Sequence, residues 1–179
     1  MATEGFLNPD SIITELNIKP GSKIGDFGSG SGYFGLLLAA AVGPDGLVTA
    51  IDVLQNKLDT LRTAAQARNL LNLNYVRGNL EVLGGSQLQD ASQDLVLLAN
   101  ILFQSQKKED ILKEAARVLK SGGELAVIDW DPASPFGPKG SGWKFSKEEG
   151  QNLAGPLGFG LVREIPVAKD HWGLLFKKS

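Results

Sequence analysis

The chain contains no cysteine and a single histidine, His171. Without cysteine there is no disulfide and no thiolate metal site, and one imidazole cannot assemble a histidine cluster around a metal. No basic leader followed by an apolar core opens the chain. No apolar run approaches the roughly 20 residues that cross a bilayer. These absences make a cytoplasmic protein without a membrane span the expectation. Charge of one sign is lacking too: 18 Lys and Arg stand against 20 Asp and Glu, a net of -2. That balance offers no basic face to a phosphate backbone, so nucleic acid is not an expected partner. Lys177 and Lys178 read as a solvated end of the chain.

What is present is an ordinary globular composition, 179 residues with 42% hydrophobic content. A chain of that length forms one domain, 1–179, and buries about two-thirds of the surface its unfolded form exposes. It is too short for a core plus a separate recognition domain. Whether it pairs as a homodimer is left open.

The richest stretch is Lys23-Ile24-Gly25-Asp26-Phe27-Gly28-Ser29-Gly30-Ser31-Gly32-Tyr33. It reads as a buried strand entering a glycine turn and then an apolar helix from Phe34 to Val42. Glycines permit so tight a turn and let a ligand touch the backbone. The first N–H groups of the helix face the same spot. Such a loop at the carboxyl end of a first strand is a nucleotide-type binding loop. The spacing is G-x-G-x-G rather than the dinucleotide G-x-G-x-x-G. Asp26 would repel a pyrophosphate, whereas it suits a ligand bearing an amino group and a sulfonium. Downstream, Leu47 to Asp52 reads as a second strand ending in an acid, able to accept two hydrogen bonds from a ribose diol.

Loop, Asp26 and Asp52 together resemble the S-adenosylmethionine site of the class I methyltransferases. The resemblance continues along most of the chain. Asn79 stands where that family usually has an acid receiving the adenine amino group, and Asp94 to Asn100 is similar to its fourth-strand motif. Arg117-Val118-Leu119-Lys120-Ser121-Gly122-Gly123 resembles its Leu-Lys-Pro-Gly-Gly helix end, with Ser121 in place of the proline. The resemblance implies an α/β three-layer sandwich around a seven-stranded, mostly parallel sheet whose last strand is antiparallel. It implies S-adenosylmethionine as cofactor and methyl transfer as activity. It also implies roles. Phe27, Gly28, Ser29, Gly30, Gly32 and Tyr33 form the loop, with Asp26 near the methionine amino group. Asp52 takes the ribose, Val53 packs on the adenine, Asn79 and Leu80 hold its far edge, and Asn100 lines the reaction centre.

The remaining organisation follows from periodicity and punctuation. A short helix precedes residue 22, with Asp10 and Ser11 as caps, and Phe6 and Leu7 either form a lid or fray. Residues 54–71 carry apolar side chains at helical spacing, strand three spans 73–78, and Leu95 to Leu98 suits a strand buried on both faces. A helix over 107–119 is expected to stop at Gly122-Gly123, before a fifth strand from about 124 to 130. The Pro-, Gly- and Ser-rich segment 131–145, carrying Phe136 and Trp143, leaves the carboxyl end of that strand. It is either the substrate wall or a surface loop pinned by Trp143. Ser146 to Glu149 is a capping-box pattern, and two final strands join through Lys169-Asp170-His171.

Methyl transfer needs orientation more than a dedicated base. The candidates for a chemical role are Asn100 after strand four, Asp129 and Asp131 at the end of strand five, and His171 in the last turn. Each also reads as an ordinary turn or loop residue. Gln104 and Gln106 are further polar groups after strand four. Leu97 to Leu102 is not an Asn-Pro-Pro-aromatic box, which disfavours the amino-methyltransferases of bases and glutamine. Absence of cysteine excludes attack on cytosine C5. The stretch Ala99 to Gln104 resembles the small-molecule, quinone-biosynthesis (methyltransferase type 11-like) branch, which includes arsenite-type enzymes. Phe103 stands where much of that branch has histidine, and with no cysteine this argues against arsenite. The expectation is in-line transfer to a small, partly apolar acceptor. Alternatives are a protein or peptide methyltransferase with a groove beside 131–145, a catalytically silent cofactor-binding subunit, or a nicotinamide-dependent oxidoreductase.

Overall fold

A computed structural model describes residues 7–140 and 144–179. Phe6 and Trp143, singled out above for a lid and a loop anchor, lie outside the described residues.

Seven strands form one sheet: β1 (Lys23–Phe27), β2 (Leu47–Asp52), β3 (Leu73–Arg77), β4 (Gln93–Ala99), β5 (Leu119–Trp130), β6 (Phe159–Glu164) and β7 (His171–Lys178). Their order is β3-β2-β1-β4-β5-β7-β6. Strands β1 to β5 pair in parallel, and β7 runs antiparallel to both β5 and β6. The chain leaves β1 toward β2 on one side and later returns on the other side with β4. That reversal opens a crevice at the carboxyl ends of β1 and β4.

Helices cover both faces. On one lie α1 (Pro9–Glu15), α2 (Tyr33–Val42) and α3 (Gln55–Ala67), packed through Ile12, Leu38 and Leu61 on Ile24, Val48, Leu97 and Ile128. On the other lie α4 (Lys108–Val118) and α5 (Lys147–Ala154), packed through Leu112, Ala115 and Ala154 on Phe27, Val96, Leu98 and Val127. The central strands are therefore buried on both sides, as their continuous apolar runs require. Among the described residues no helix is long and apolar enough to cross a membrane.

Local chemistry sets several boundaries. Asn8 caps α1 by accepting from the Ser11 amide at 3.3 Å, so the cap lies upstream of the expected Asp10 and Ser11. The Ser146–Glu149 capping box starts α5 as its pattern indicates. Helix α4 ends at Val118, short of the glycine pair, because β5 begins at once with Leu119 beside Gln93. Register then jumps to Leu95 beside Glu124, and Gly122, at φ 76°, absorbs the extra residues. His171 is the first residue of β7 and not part of the turn before it.

One buried charge cluster ties α4 to the loop after β3. Glu114 is fully buried, accepts from the Gly84 amide at 2.7 Å and from the Ser86 amide and hydroxyl, and pairs with Arg117 at 2.7 Å. Arg117 also reaches Asp90 at 2.5 Å. These partners outweigh burial and hold the Glu114 carboxyl down at about 2.

Candidate functional site

The glycine loop is shaped by what surrounds it. The Gly28 and Ser29 amides donate to Ile51 O at 2.8 and 3.0 Å, which pins the turn to β2. Gly28 has φ 73°, and a Cβ there would overlap the Ile101 side chain. Gly32 is equally crowded by Leu61 of α3. Gly30, at φ 54°, has no atom within 4 Å of where its Cβ would sit. Two glycines thus answer to the protein interior, while the middle one leaves open space in front of the backbone.

Asp52 joins the loop to the tip of β2. Its Oδ2 accepts from the Gly30 amide and its Oδ1 from the Leu54 amide, each at 2.9 Å. Each carboxylate oxygen has a second lone pair, so the group can still accept from a diol. Asp26 lies deeper, 2% exposed, with Oδ2 buried and without a hydrogen-bond partner. Burial first, and the charge of Asp52 second, push its carboxyl up to about 7. Gly35 of α2 makes room for it, since a Cβ there would sit 3.2 Å from Oδ2.

Ser29 Oγ and Asn100 Oδ1 are likewise buried and unpartnered. Asn100 is in the left-handed region at φ 57°, its amide donates to Ile128 O at 2.8 Å, and its carbonyl accepts from Gln104 at 3.2 Å. Asp26, Ser29 and Asn100 therefore bring three orphaned polar atoms to the mouth between β1 and β4. Leaving such atoms buried and unsatisfied costs about 1–3 kcal/mol each, so the three together could hold a polar ligand.

The other expected positions divide by exposure. Tyr33 is 78% and Val53 52% exposed, at the start of α2 and just past β2. Asn79 is exposed, and its Oδ1 accepts from the Glu81 amide at 3.0 Å. Leu80 is buried against the α4 layer, and Phe27 is wholly in that core, so only the Phe27 main chain faces the loop.

Asp129 is fully buried. It accepts from the Phe103 amide at 3.0 Å and the Trp130 amide at 2.9 Å, and the Leu102 amide also faces it. Burial pushes it up to about 7 against the pull of those amides. It thereby anchors the 3-10 turn Leu102–Gln104 beside Asn100. Asp131 is partly exposed and accepts from the Ala133 amide at 2.8 Å. His171 is buried, lies 4.0 Å from Trp130 between ring centroids, and has both ring nitrogens unpartnered. Burial lowers it to about 4, with neighbouring Asp170 opposing. At neutral pH it is an uncharged imidazole and a weak base.

The structure adds residues that sequence reasoning passed over. Ile101, Leu61 and Gly35 shape the loop from outside it, and Trp130 and Asp170 flank His171. Nothing in their local sequence marks them, because their roles come from contacts with residues distant in the chain. A separate cleft of about 500 Å³ lies at the opposite, amino ends of the strands, lined among others by Glu15, Asp94, Lys120 and Arg163. It contains none of the orphaned groups and belongs to neither end of the crevice.

Residues 25–127 match the family Methyltransf_11, a methyltransferase domain. The arsenite methyltransferase of Aquipseudomonas alcaligenes is 34% identical over 113 residues, covering 61% of this chain and 33% of that protein. The demethylmenaquinone methyltransferase of Listeria welshimeri is 30% identical over 129 residues, covering 72% of this chain and 51% of that protein. The chain thus spans about half or less of the length of these relatives. The crystal structure of a SAM-dependent methyltransferase from Aquifex aeolicus superposes with a TM-score of 0.86 at 23% identity, covering 97% of this chain and 90% of that one. At that identity the likeness speaks for the fold.

Proposed function

We propose that this chain, which belongs to the methyltransferase-domain family, binds S-adenosylmethionine and transfers its methyl group to a small-molecule acceptor by in-line displacement. The single observation that carries the reading is the set of orphaned atoms on Asp26, Ser29 and Asn100 around an open Gly30. When bound, S-adenosylmethionine supplies an electrophilic methyl group on a sulfonium, together with an ammonium and a ribose diol.

The residues fit those groups. Asp26, buried and electrically uncompensated, favours a cation and becomes fully ionised beside one. Asp52 accepts the diol while keeping Gly30 in place. The unpartnered Ser29 hydroxyl suits the carboxylate end, and exposed Val53 offers an apolar face to a purine. Asn100, fixed at the end of β4 by Ile128 and Gln104, lines the space where an acceptor approaches. The protein's contribution is orientation and exclusion of water, which account for a large part of such rate enhancements.

The acceptor class is read from the chain itself. Arsenic(III) is soft and seeks thiolates, and this chain has none. The demethylmenaquinone methyltransferase among the relatives and the net charge of -2 favour a small organic acceptor. Calorimetric titration with S-adenosylmethionine tests the reading. Wild type is expected to bind, and Asp52→Ala to bind at least about tenfold more weakly, as the loss of hydrogen bonds to a charged group implies. No binding by the wild type at millimolar ligand would overturn it.

A further inference from the structure

Orphaned buried side-chain atoms among the described residues fall into two groups. The first is the trio just described. The second is Asp170 Oδ2 with His171 Nδ1 and Nε2. Both lie at the carboxyl edge of the parallel strands, since His171 pairs with Trp130, the last residue of β5. In the order β4-β5-β7, Asn100 and His171 are two strand spacings apart, roughly 10 Å.

The second group is a built site. Asp170 and His171 are 3% and 6% exposed. Trp130 lies over the imidazole. The loop after β5 covers Asp170, with Ser134 Oγ donating to Asp170 Oδ1 at 2.8 Å and the Asp131 amide donating to Asp170 O at 2.9 Å. Of the two, His171 lines a cavity of about 690 Å³ between that loop, the start of α5 and the β6–β7 connection, with Asp170 next to it in the chain. Three carboxylates, Asp131, Glu148 and Glu164, face it against one ammonium, Lys147. Lys147 is already paired with Glu164 at 2.7 Å. Ile165, Pro166 and Val167 supply an apolar wall.

We infer that Asp170 and His171 anchor the far end of the methyl acceptor, and that this end carries a protonated amine on an apolar or aromatic body. The inference rests on the methyltransferase reading above. The free Asp170 Oδ2 only accepts hydrogen bonds, and a neutral imidazole accepts at one nitrogen, so the pair recognises a donor. The surplus of carboxylates selects a cation over an anion. Ile165, Pro166 and Val167 give the wall against which the apolar or aromatic body lies, while Trp130 holds the imidazole in place. The spacing from Asn100 makes this a specificity site rather than the point of chemistry. The acceptor is therefore elongated, reaching from the crevice to the amine anchor.

The single histidine makes the test direct, because its two imidazole C–H proton signals need no assignment. Untagged protein saturated with S-adenosylhomocysteine is titrated at pH 7.5 with three ligands sharing one ring: tyramine, 4-ethylphenol and 4-hydroxyphenylacetate. Tyramine is expected to move the His171 signals saturably, with a Kd at least about tenfold below that of 4-ethylphenol, and the acid to leave them in place. In Asp170→Asn the preference for tyramine over 4-ethylphenol should vanish. The wild-type comparison stands even if that variant fails to fold. Signals unmoved by tyramine, or moved equally by all three, would overturn the inference. Calorimetry with S-adenosylhomocysteine keeps the two readings apart. Failure of that step sinks the methyltransferase reading, whereas its success without a tyramine response sinks only the amine anchor.

Discussion

The Asp52 carboxylate holds the Gly30 amide at 2.9 Å, which ties the tip of β2 to the middle of the glycine loop. The same oxygen pair also fixes the Leu54 amide at the start of α3. A residue read from sequence as a ribose ligand is thus, in the structure, a strut of the glycine loop. Asp52→Ala is expected to weaken cofactor binding about 10- to 100-fold, and Asp52→Asn less, because the amide oxygen can still accept one N–H. Calorimetry on the two variants checks the order.

Gly28 and Gly30 should separate stability from binding. Gly28→Ala places a methyl group into Ile101 and should cost about 1–3 kcal/mol in denaturant unfolding. Ile101→Ala in the same chain should return part of that loss. Gly30→Ala meets no atom, so its fold cost is limited to the left-handed backbone, about 1–2 kcal/mol. Its cofactor affinity should fall further than that of the Gly28→Ala, Ile101→Ala pair.

Asp26 should give the protein a pH signature. Its folded value of about 7 lies above the ordinary 3.8. Between those limits the native state holds a proton that the unfolded chain has released, so stability falls as pH rises through that window. Asp129, also near 7, adds to the fall, while His171, depressed to about 4, opposes it up to its ordinary 6.5. Asp26→Asn should make the decline between pH 5 and 7 shallower in urea titrations. Cofactor affinity runs the other way. A cation needs the ionised form, so wild-type Kd should rise by up to about tenfold per unit as pH drops below 7. Asp26→Asn should lose that dependence.

Glu114 serves the fold alone. Glu114→Ala leaves Arg117 facing Ser86 and Asp90 without its main partner and should cost about 3–5 kcal/mol. Cofactor affinity at low temperature should be unchanged where the variant is folded. A loss of affinity matching the loss of stability would count against this division.

Much of the crevice is legible in sequence because its signals are local. Asp26, the three loop glycines and Asp52 sit within or at the ends of strands whose apolar runs announce them. The Ser146–Glu149 box is local as well. What escaped the sequence depends on partners far along the chain. Helix α4 matches the 107–119 expectation to within a residue, but strand five, read as starting near 124, begins at Leu119 because that residue pairs with Gln93. His171 reads as a turn residue until its pairing with Trp130 buries it. Asp129 reads as a loop acid until the 102–104 turn folds its amides onto the carboxylate. In the first two cases pairing across the sheet outweighed local preference, and in the third a turn distant in sequence did.

The most direct measurement is transfer of labelled methyl groups. Wild-type protein is incubated with methyl-labelled S-adenosylmethionine and a cell extract resolved into small molecules, protein and nucleic acid. Label entering the small-molecule fraction, and absent from that fraction with Asp52→Ala, is the predicted result. Label in the protein fraction, or no transfer by a chain that still binds the cofactor, would contradict the account.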